Sequence, residues 1–132
     1  MHEWALADAI LRTAKEIAEQ EKLRKVTVVT IGAGELQHAD LEILQFALAQ
    51  LKSDIFADSQ FHITKSATML KCRVCENTWR FDLKEIEERN SEAIHFVPEA
   101  AHAYITCPRC GSPDFIIASG RGVWLENIEG AR

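Results

Sequence analysis

Cys72-Arg73-Val74-Cys75 and Cys107-Pro108-Arg109-Cys110-Gly111 decide how this chain is built. Each pair leaves two residues between its thiols, so one tight turn can aim both sulfurs at a single ion. Two such turns facing each other complete a tetrahedron, with zinc–sulfur distances of about 2.3 Å. Gly111 follows the second pair, where a positive φ is useful, and Pro108 stiffens the turn. A closed four-thiolate cage leaves no position for substrate, so its role is structural. The residues also admit two disulfides, a redox pair, or iron in the same cage. A redox C-x-x-C opens a helix after a strand, whereas these pairs sit in turns. A chain without a secretory signal favours metal over disulfides, and iron stays open. Paired C-x-x-C is the strong spacing signal for zinc. The 31 residues between Cys75 and Cys107 exceed the usual spacing of about 15–20. Residues 84–103 are therefore read as an insertion that loops out. They carry Glu85, Glu87 and Glu88, read as a solvated helix face, then an apolar stretch with His95, Pro98 and His102.

Outward from the cysteines, residues 78–83 and 115–118 read as short strands. Toward the amino terminus, Phe61 and Ile63 open a strand expected to run to Leu70. Before it, Leu41, Leu44, Leu48 and Leu51 mark a helix from about Asp40 to Lys52. Lys25-Val-Thr-Val-Val-Thr-Ile31 is rich in β-branched residues and reads as a buried strand, broken by Gly32 and Gly34. Leu6, Ile10, Ala14 and Ile17 recur at helical spacing within an amphipathic helix over residues 3–21. Residues 123–128 read as a last strand. It is expected to return to the first sheet, because three strands with two helices bury a core better than two strands do. The expected class is α+β, with two helices on a three-stranded sheet and an inserted zinc ribbon-like module. The expected division is 1–69 plus 115–132 for the α/β domain and 70–114 for the zinc domain, with insertion 84–103.

Composition excludes several function classes. The net charge is −5 over 132 residues, and each of residues 1–69, 70–110 and 111–132 carries more acidic than basic side chains. None offers the positive surface that nucleic acid or an anionic membrane requires. No apolar run approaches the roughly 20 residues of a membrane span. The first residues lack the basic and apolar regions of a signal peptide, so a cytoplasmic location is expected. There is no P-loop and no Ser-His-Asp or Cys-His pattern, so no enzymatic activity is expected.

His2 admits two readings. A histidine at a frayed terminus needs no function. Alternatively, the α-amine of Met1, the backbone nitrogen of His2 and its imidazole close around one ion. A planar, nitrogen-rich set suits Ni(II) or Cu(II). His38 and His62 read as solvated or hydrogen-bonded residues, and Trp4, Trp79 and Trp124 as core or interface aromatics. His95 is balanced between packing and metal ligation.

Taken together, these features resemble a known family. Met1-His2-Glu3 is followed by a helix, a strand ending in Gly34-Glu35-Leu36, and the paired cysteines. The chain then closes with Gly122-Val123-Trp124-Leu125-Glu126-Asn127-Ile128-Glu129. The pattern is similar to the HypA family, nickel metallochaperones of NiFe-hydrogenase maturation, over nearly the whole chain. The resemblance implies nickel binding by Met1, His2 and Glu3 and zinc binding by Cys72, Cys75, Cys107 and Cys110; His95, from its place in the insertion and not from the resemblance, is a further nickel candidate. It implies delivery of Ni(II), with the nucleotide-hydrolysing partner HypB, to the hydrogenase large-subunit precursor. A homodimer is compatible with it. The length of segment 84–103 departs from many bacterial members and resembles the archaeal-type version. The competing reading is a zinc-ribbon adaptor with no nickel role, which the acidic balance of every region disfavours.

Overall fold

The computed structural model describes residues 2–37, 39–82 and 88–132. His38 and the acidic residues Glu85 and Glu87 lie outside them. The chain forms two compact units. One contains residues 2–32, 39–64 and 123–132; the other contains the described residues of 33–38 and 65–122.

The first unit is two helices and a three-stranded sheet. Helix α1, Glu3–Gln20, buries Ala7, Ile10, Leu11, Ala14 and Ala18. Helix α2, Leu41–Leu51, buries Leu44, Ala47 and Leu48. Asp40 starts α2 by accepting the Glu42 and Ile43 backbone N–H groups at its Oδ1, 3.1 Å each, which satisfies two donors that the helix cannot. Strands β1 (Lys25–Gly34), β2 (Gln60–Ser66) and β6 (Val123–Ala131) lie in the order β2-β1-β6. The last strand thus returns to the first, as its sequence suggested. Val26, Val29 and Ile31 of β1 and Phe61 of β2 meet the helices in one core.

Gly32 and Gly34 were expected to break β1, yet the strand runs through both. Each glycine is there for close approach. A Cβ on Gly32 would stand 2.2 Å from Trp124 Cε2, so the indole packs flat on bare backbone. Gly34 faces the backbone of Gly120, whose carbonyl oxygen would be 2.2 Å from an added Cβ. The Gly34 N–H then donates to the Gly122 carbonyl at 2.7 Å.

The second unit holds the cysteines. Strands β3 (Met69–Cys72), β4 (Thr78–Arg80) and β5 (Phe115–Ser119) form a sheet in the order β4-β3-β5, with Leu70 opposite Trp79 and Cys72 opposite Phe115. The strand expected from Phe61 to Leu70 is therefore two strands in two sheets, parted at Ala67-Thr68. Thr68 is buried, and its carbonyl accepts the Phe81 N–H at 3.0 Å. The strand expected over 78–83 ends at Arg80, and Leu83 lies outside the described residues. Residues 115–119, expected with the α/β domain, pair with β3 in this unit instead.

The insertion does not loop out. Within it run helix α3, Glu88–Phe96, and a 3₁₀ segment, Pro98–Ala103. Ile94 and Ala101 are fully buried with Leu36, Leu70, Phe81, Ile105 and Phe115. A segment that supplies core residues fills the long gap between the cysteine pairs.

Candidate metal centre

The two C-x-x-C motifs fold into matching turns. In the first, the Cys72 N–H donates to the Asn77 carbonyl at 2.8 Å, and the Glu76 N–H donates back to the Cys72 carbonyl at 3.1 Å. In the second, the Cys107 N–H donates to the Ser112 carbonyl at 2.8 Å, and the Gly111 N–H donates back to the Cys107 carbonyl at 2.8 Å. The fourth residue after the leading cysteine has positive φ in both, Glu76 at 64° and Gly111 at 77°. Strand β3 delivers the first turn, and pairing with β5 holds it against the second. Arg73 ties the two turns further, its N–H donating to the Asp114 carbonyl at 2.9 Å.

The four sulfurs converge within 4.8 Å of one another. Cys72 Sγ lies 3.5 Å from Cys110 Sγ, and Cys75 Sγ lies 3.7 Å from Cys107 Sγ. Tetrahedral zinc with bonds near 2.3 Å puts its sulfurs about 3.8 Å apart. A disulfide would need about 2.05 Å, so all four thiols are free. Donor type, number and spacing fit a structural zinc ion. When bound, that ion supplies charge neutralisation and a covalent clasp between the two turns. The protein supplies backbone donors: the Val74 and Cys75 N–H groups reach Cys72 Sγ at 3.4 Å each, and Asn77 Nδ2 lies 3.8 Å from Cys107 Sγ.

These donors divide the thiols. The Cys75 N–H, against the opposition of burial and with help from the Val74 N–H, lowers Cys72 below its ordinary value. Burial pushes Cys107 up, but the Cys110 and Arg109 N–H groups and the Cys75 and Asn77 side chains outweigh it, bringing the thiol to about 6. The Ser112 N–H lowers Cys110, yet the Cys72 sulfur, burial and the sulfurs of Cys75 and Cys107 drive it up to about 12. Thiolates this close resist ionising together, and a divalent cation removes that resistance.

The histidines are dispersed. His2 is exposed just before α1 and makes no side-chain capping bond; Met1 lies outside the described residues. Beside it, Glu3 Oε1 accepts the Asp40 N–H at 3.1 Å. His62 is exposed on β2. His95 lies on α3 in the cysteine unit, edge-to-face with Phe96 at 5.0 Å. His102 stacks on Phe115 at 4.3 Å, and its Nδ1 lies 2.9 Å from the Pro113 carbonyl, which accounts for it as a packing residue. Asn77 and Glu76 escaped the sequence reading. Aligning the two C-x-x-C motifs would have flagged Glu76, which takes the place of Gly111.

A mixed α+β chain whose four cysteines converge in one unit is built as a small metal-binding protein. The chain matches, over residues 1–130, the family model described as "Hydrogenase/urease nickel incorporation, metallochaperone, hypA", and it belongs to the HypA family. It is thus a maturation factor and not an enzyme. It is 46% identical to the hydrogenase maturation factor HypA of Thermococcus sibiricus, covering 98% of this chain and 96% of the relative. It is 44% identical to that of Pyrococcus horikoshii, covering 98% and 95%. The fold is shared with the solution structure of the Ni metallochaperone HypA from Helicobacter pylori. The TM-score is 0.66 at 20% identity, over 99% of this chain and 98% of that one. Among the described residues no helix is long and apolar enough to cross a membrane.

Proposed function

We propose that this chain carries Ni(II) at its amino terminus and, with HypB in the cytoplasm, delivers it to a NiFe-hydrogenase large-subunit precursor. The ligands are the Met1 amine, the His2 backbone nitrogen and imidazole, and Glu3. The observation that carries this reading is the contrast between two kinds of site. The cysteine cage is closed and partly buried, as a structural ion requires. His2 stands exposed ahead of α1, with its side chain uncommitted to capping, as a labile transfer site requires. Its carbonyl is engaged by the Leu6 N–H at 3.0 Å, which fixes the peptide next to the ligating nitrogen. Glu3 is steadied by the Asp40 N–H. Delivery is ligand exchange, with no covalent chemistry. We assign nickel to the two-helix unit and structural zinc to the cysteine unit.

The test uses the position of the amine. Placing Gly-Ser before Met1 turns the amine into an amide and moves the new amine away from His2. The extended protein should fold, keep zinc, and lose tight nickel binding together with the visible absorption of planar Ni(II). His2→Ala should do the same through the imidazole. Unchanged nickel titration of the extended protein would overturn the amino-terminal chelate.

A further inference from the structure

The sheet of the cysteine unit has two faces, and its core takes one of them. In an antiparallel sheet, residues directly opposite each other share a face, and successive residues alternate between faces. Leu70, Trp79, Phe115 and Ile117 point inward and pack in the second core. Lys71 stands opposite both Thr78 and Ile116, and Met69 stands opposite Arg80, all on the other face. Arg73, two residues past Lys71, continues that face beyond the end of β3. Lys71, Arg73, Thr78, Arg80 and Ile116 are exposed. A sheet face that meets only water carries polar side chains. This one sets Ile116, 45% exposed, and the half-buried Met69 beside Lys71.

Charge selects the occupant. The chain as a whole is acidic, at −5, yet this face carries three cations, Lys71, Arg73 and Arg80, against two carboxylates. Arg73 Nε lies 3.6 Å from Asp114 Oδ1, and an Arg80 guanidinium nitrogen lies 3.5 Å from Glu35 Oε2. The two arginine side chains remain 64% and 63% exposed. Exposed pairs at such distances contribute little, and each guanidinium keeps further N–H donors for another carboxylate. Lys71, between the two arginines, has no ion pair among the described residues. Its ammonium is the surplus charge of the face. Nucleic acid is the poorer match, because single strands are held by aromatic stacking and the exposed apolar side chain here is aliphatic.

We propose that the outer face of the β4-β3-β5 sheet docks an acidic, extended segment of a partner protein. Its carboxylates are taken by Arg73, Lys71 and Arg80, and their methylene stems lie on Ile116 and Met69. The surface lies wholly within the cysteine unit and is independent of the nickel reading. Spacing supports an extended segment. Residues two apart on a strand, as Lys71 and Arg73 are, recur at about 6–7 Å. Arg80 is the diagonal neighbour of Lys71, at about 7–8 Å. Carboxylates at alternate positions of an extended segment recur at about the same interval. So open a face holds the segment weakly, with a dissociation constant on the order of 100 µM at low salt.

Titration of the full-length zinc-loaded protein with the end-capped peptide ESESESE, followed by nitrogen–proton correlation spectra, tests this. The amides of Lys71, Thr78 and Ile116 should shift, and those of Val29 and Leu48 should stay. The peptide EESSSEE has the same charge at the wrong spacing and should bind at least threefold more weakly; QSQSQSQ should not bind. Lys71→Glu and Arg80→Glu should each raise the dissociation constant at least fivefold with zinc content and circular dichroism unchanged. Lys22→Glu removes the same charge from the two-helix unit and should leave binding alone. Should Lys71→Glu disturb the neighbouring Cys72, Arg80→Glu carries the test. Unmoved amides at saturating peptide overturn the proposal and leave the face to water. Equal binding of the two acidic peptides, or binding that survives Arg80→Glu, overturns it as unspecific attraction. An oligothymidylate that moves the same amides at lower concentration than ESESESE overturns it in favour of nucleic acid.

Discussion

Single residues with unusual backbone carry much of the design. Gly111 sits at φ 77° with nothing within 4 Å of where a Cβ would be. Substitution there meets no clash, and the cost is purely conformational. Gly111→Ala should destabilise the cysteine unit by about 1 kcal/mol and quicken zinc transfer to a chelator. Equal transfer rates for native and variant protein would show that the turn tolerates an L-residue there without strain. Glu76 already lives with the same geometry at φ 64° in the sister turn, which is why the penalty is modest. Gly32 is the opposite case, since its neighbour is a rigid ring. Gly32→Ala must push Trp124 aside and should cost about 1–3 kcal/mol by urea denaturation, with a shift in tryptophan emission. A native-like emission spectrum and midpoint would mean that the indole does not rest on this backbone.

At the scale of elements, the sequence was most legible where one period dominated. The apolar spacing of α1 and α2 and the β-branched run of β1 gave their types and nearly their ends, because each buries a single regular face. The four cysteines were legible because the chemistry of the ion fixes their spacing. Legibility failed where tertiary contact overrode local signal. Gly32 and Gly34 look like breakers until Trp124 and Gly120 are brought against them by β6 and the turn before it. Residues 61–70 are uniformly strand-like, so nothing local marks Ala67-Thr68 as the passage from one sheet to the other. Segment 84–103 looked extraneous because its acidic start and its excess over the usual cysteine spacing suggested an insertion, and nothing local showed that its apolar stretch faces a core. Ile94 is one of them, fully buried on α3. Ile94→Ala should cost about 2–4 kcal/mol and lower the unit's urea midpoint. A looped-out insertion would show no change, so this substitution measures whether α3 is core.

At the scale of the whole chain, two cores of unequal strength hang on one backbone. The first gathers Ala7, Ile10, Leu11, Ala14, Ala18, Val26, Val29, Ile31, Leu44, Ala47, Leu48, Phe56 and Phe61. The second has Leu36, Leu70, Phe81, Ile94, Ala101, Ile105 and Phe115. Small cores of this second kind need a staple, and the tetrathiolate site is placed to be one. Its two turns lie far apart in sequence, so without metal their closure entropy opposes the fold. Bound zinc contributes roughly 10 kcal/mol or more to small metal-dependent folds, more than so small a core supplies. Removing zinc with a chelator, or making Cys75→Ser, should therefore unfold the cysteine unit and spare the two-helix unit. The backbone amides of Leu70, Cys72 and Ile117 should collapse to unfolded shifts in a nitrogen–proton correlation spectrum. Those of Val29, Leu44 and Leu48 should keep their dispersion. Trp79, edge-on to Phe115 at 5.7 Å, should become more accessible to quenchers, while the quenching of Trp124, already exposed beside Gly32, should stay as it is. Restoring zinc to the chelated native protein should return the lost peaks. If the two sets of amides vanish together, the units are one cooperative fold. If neither set changes, the second core stands without its ion and the thiolate cage is not what holds it.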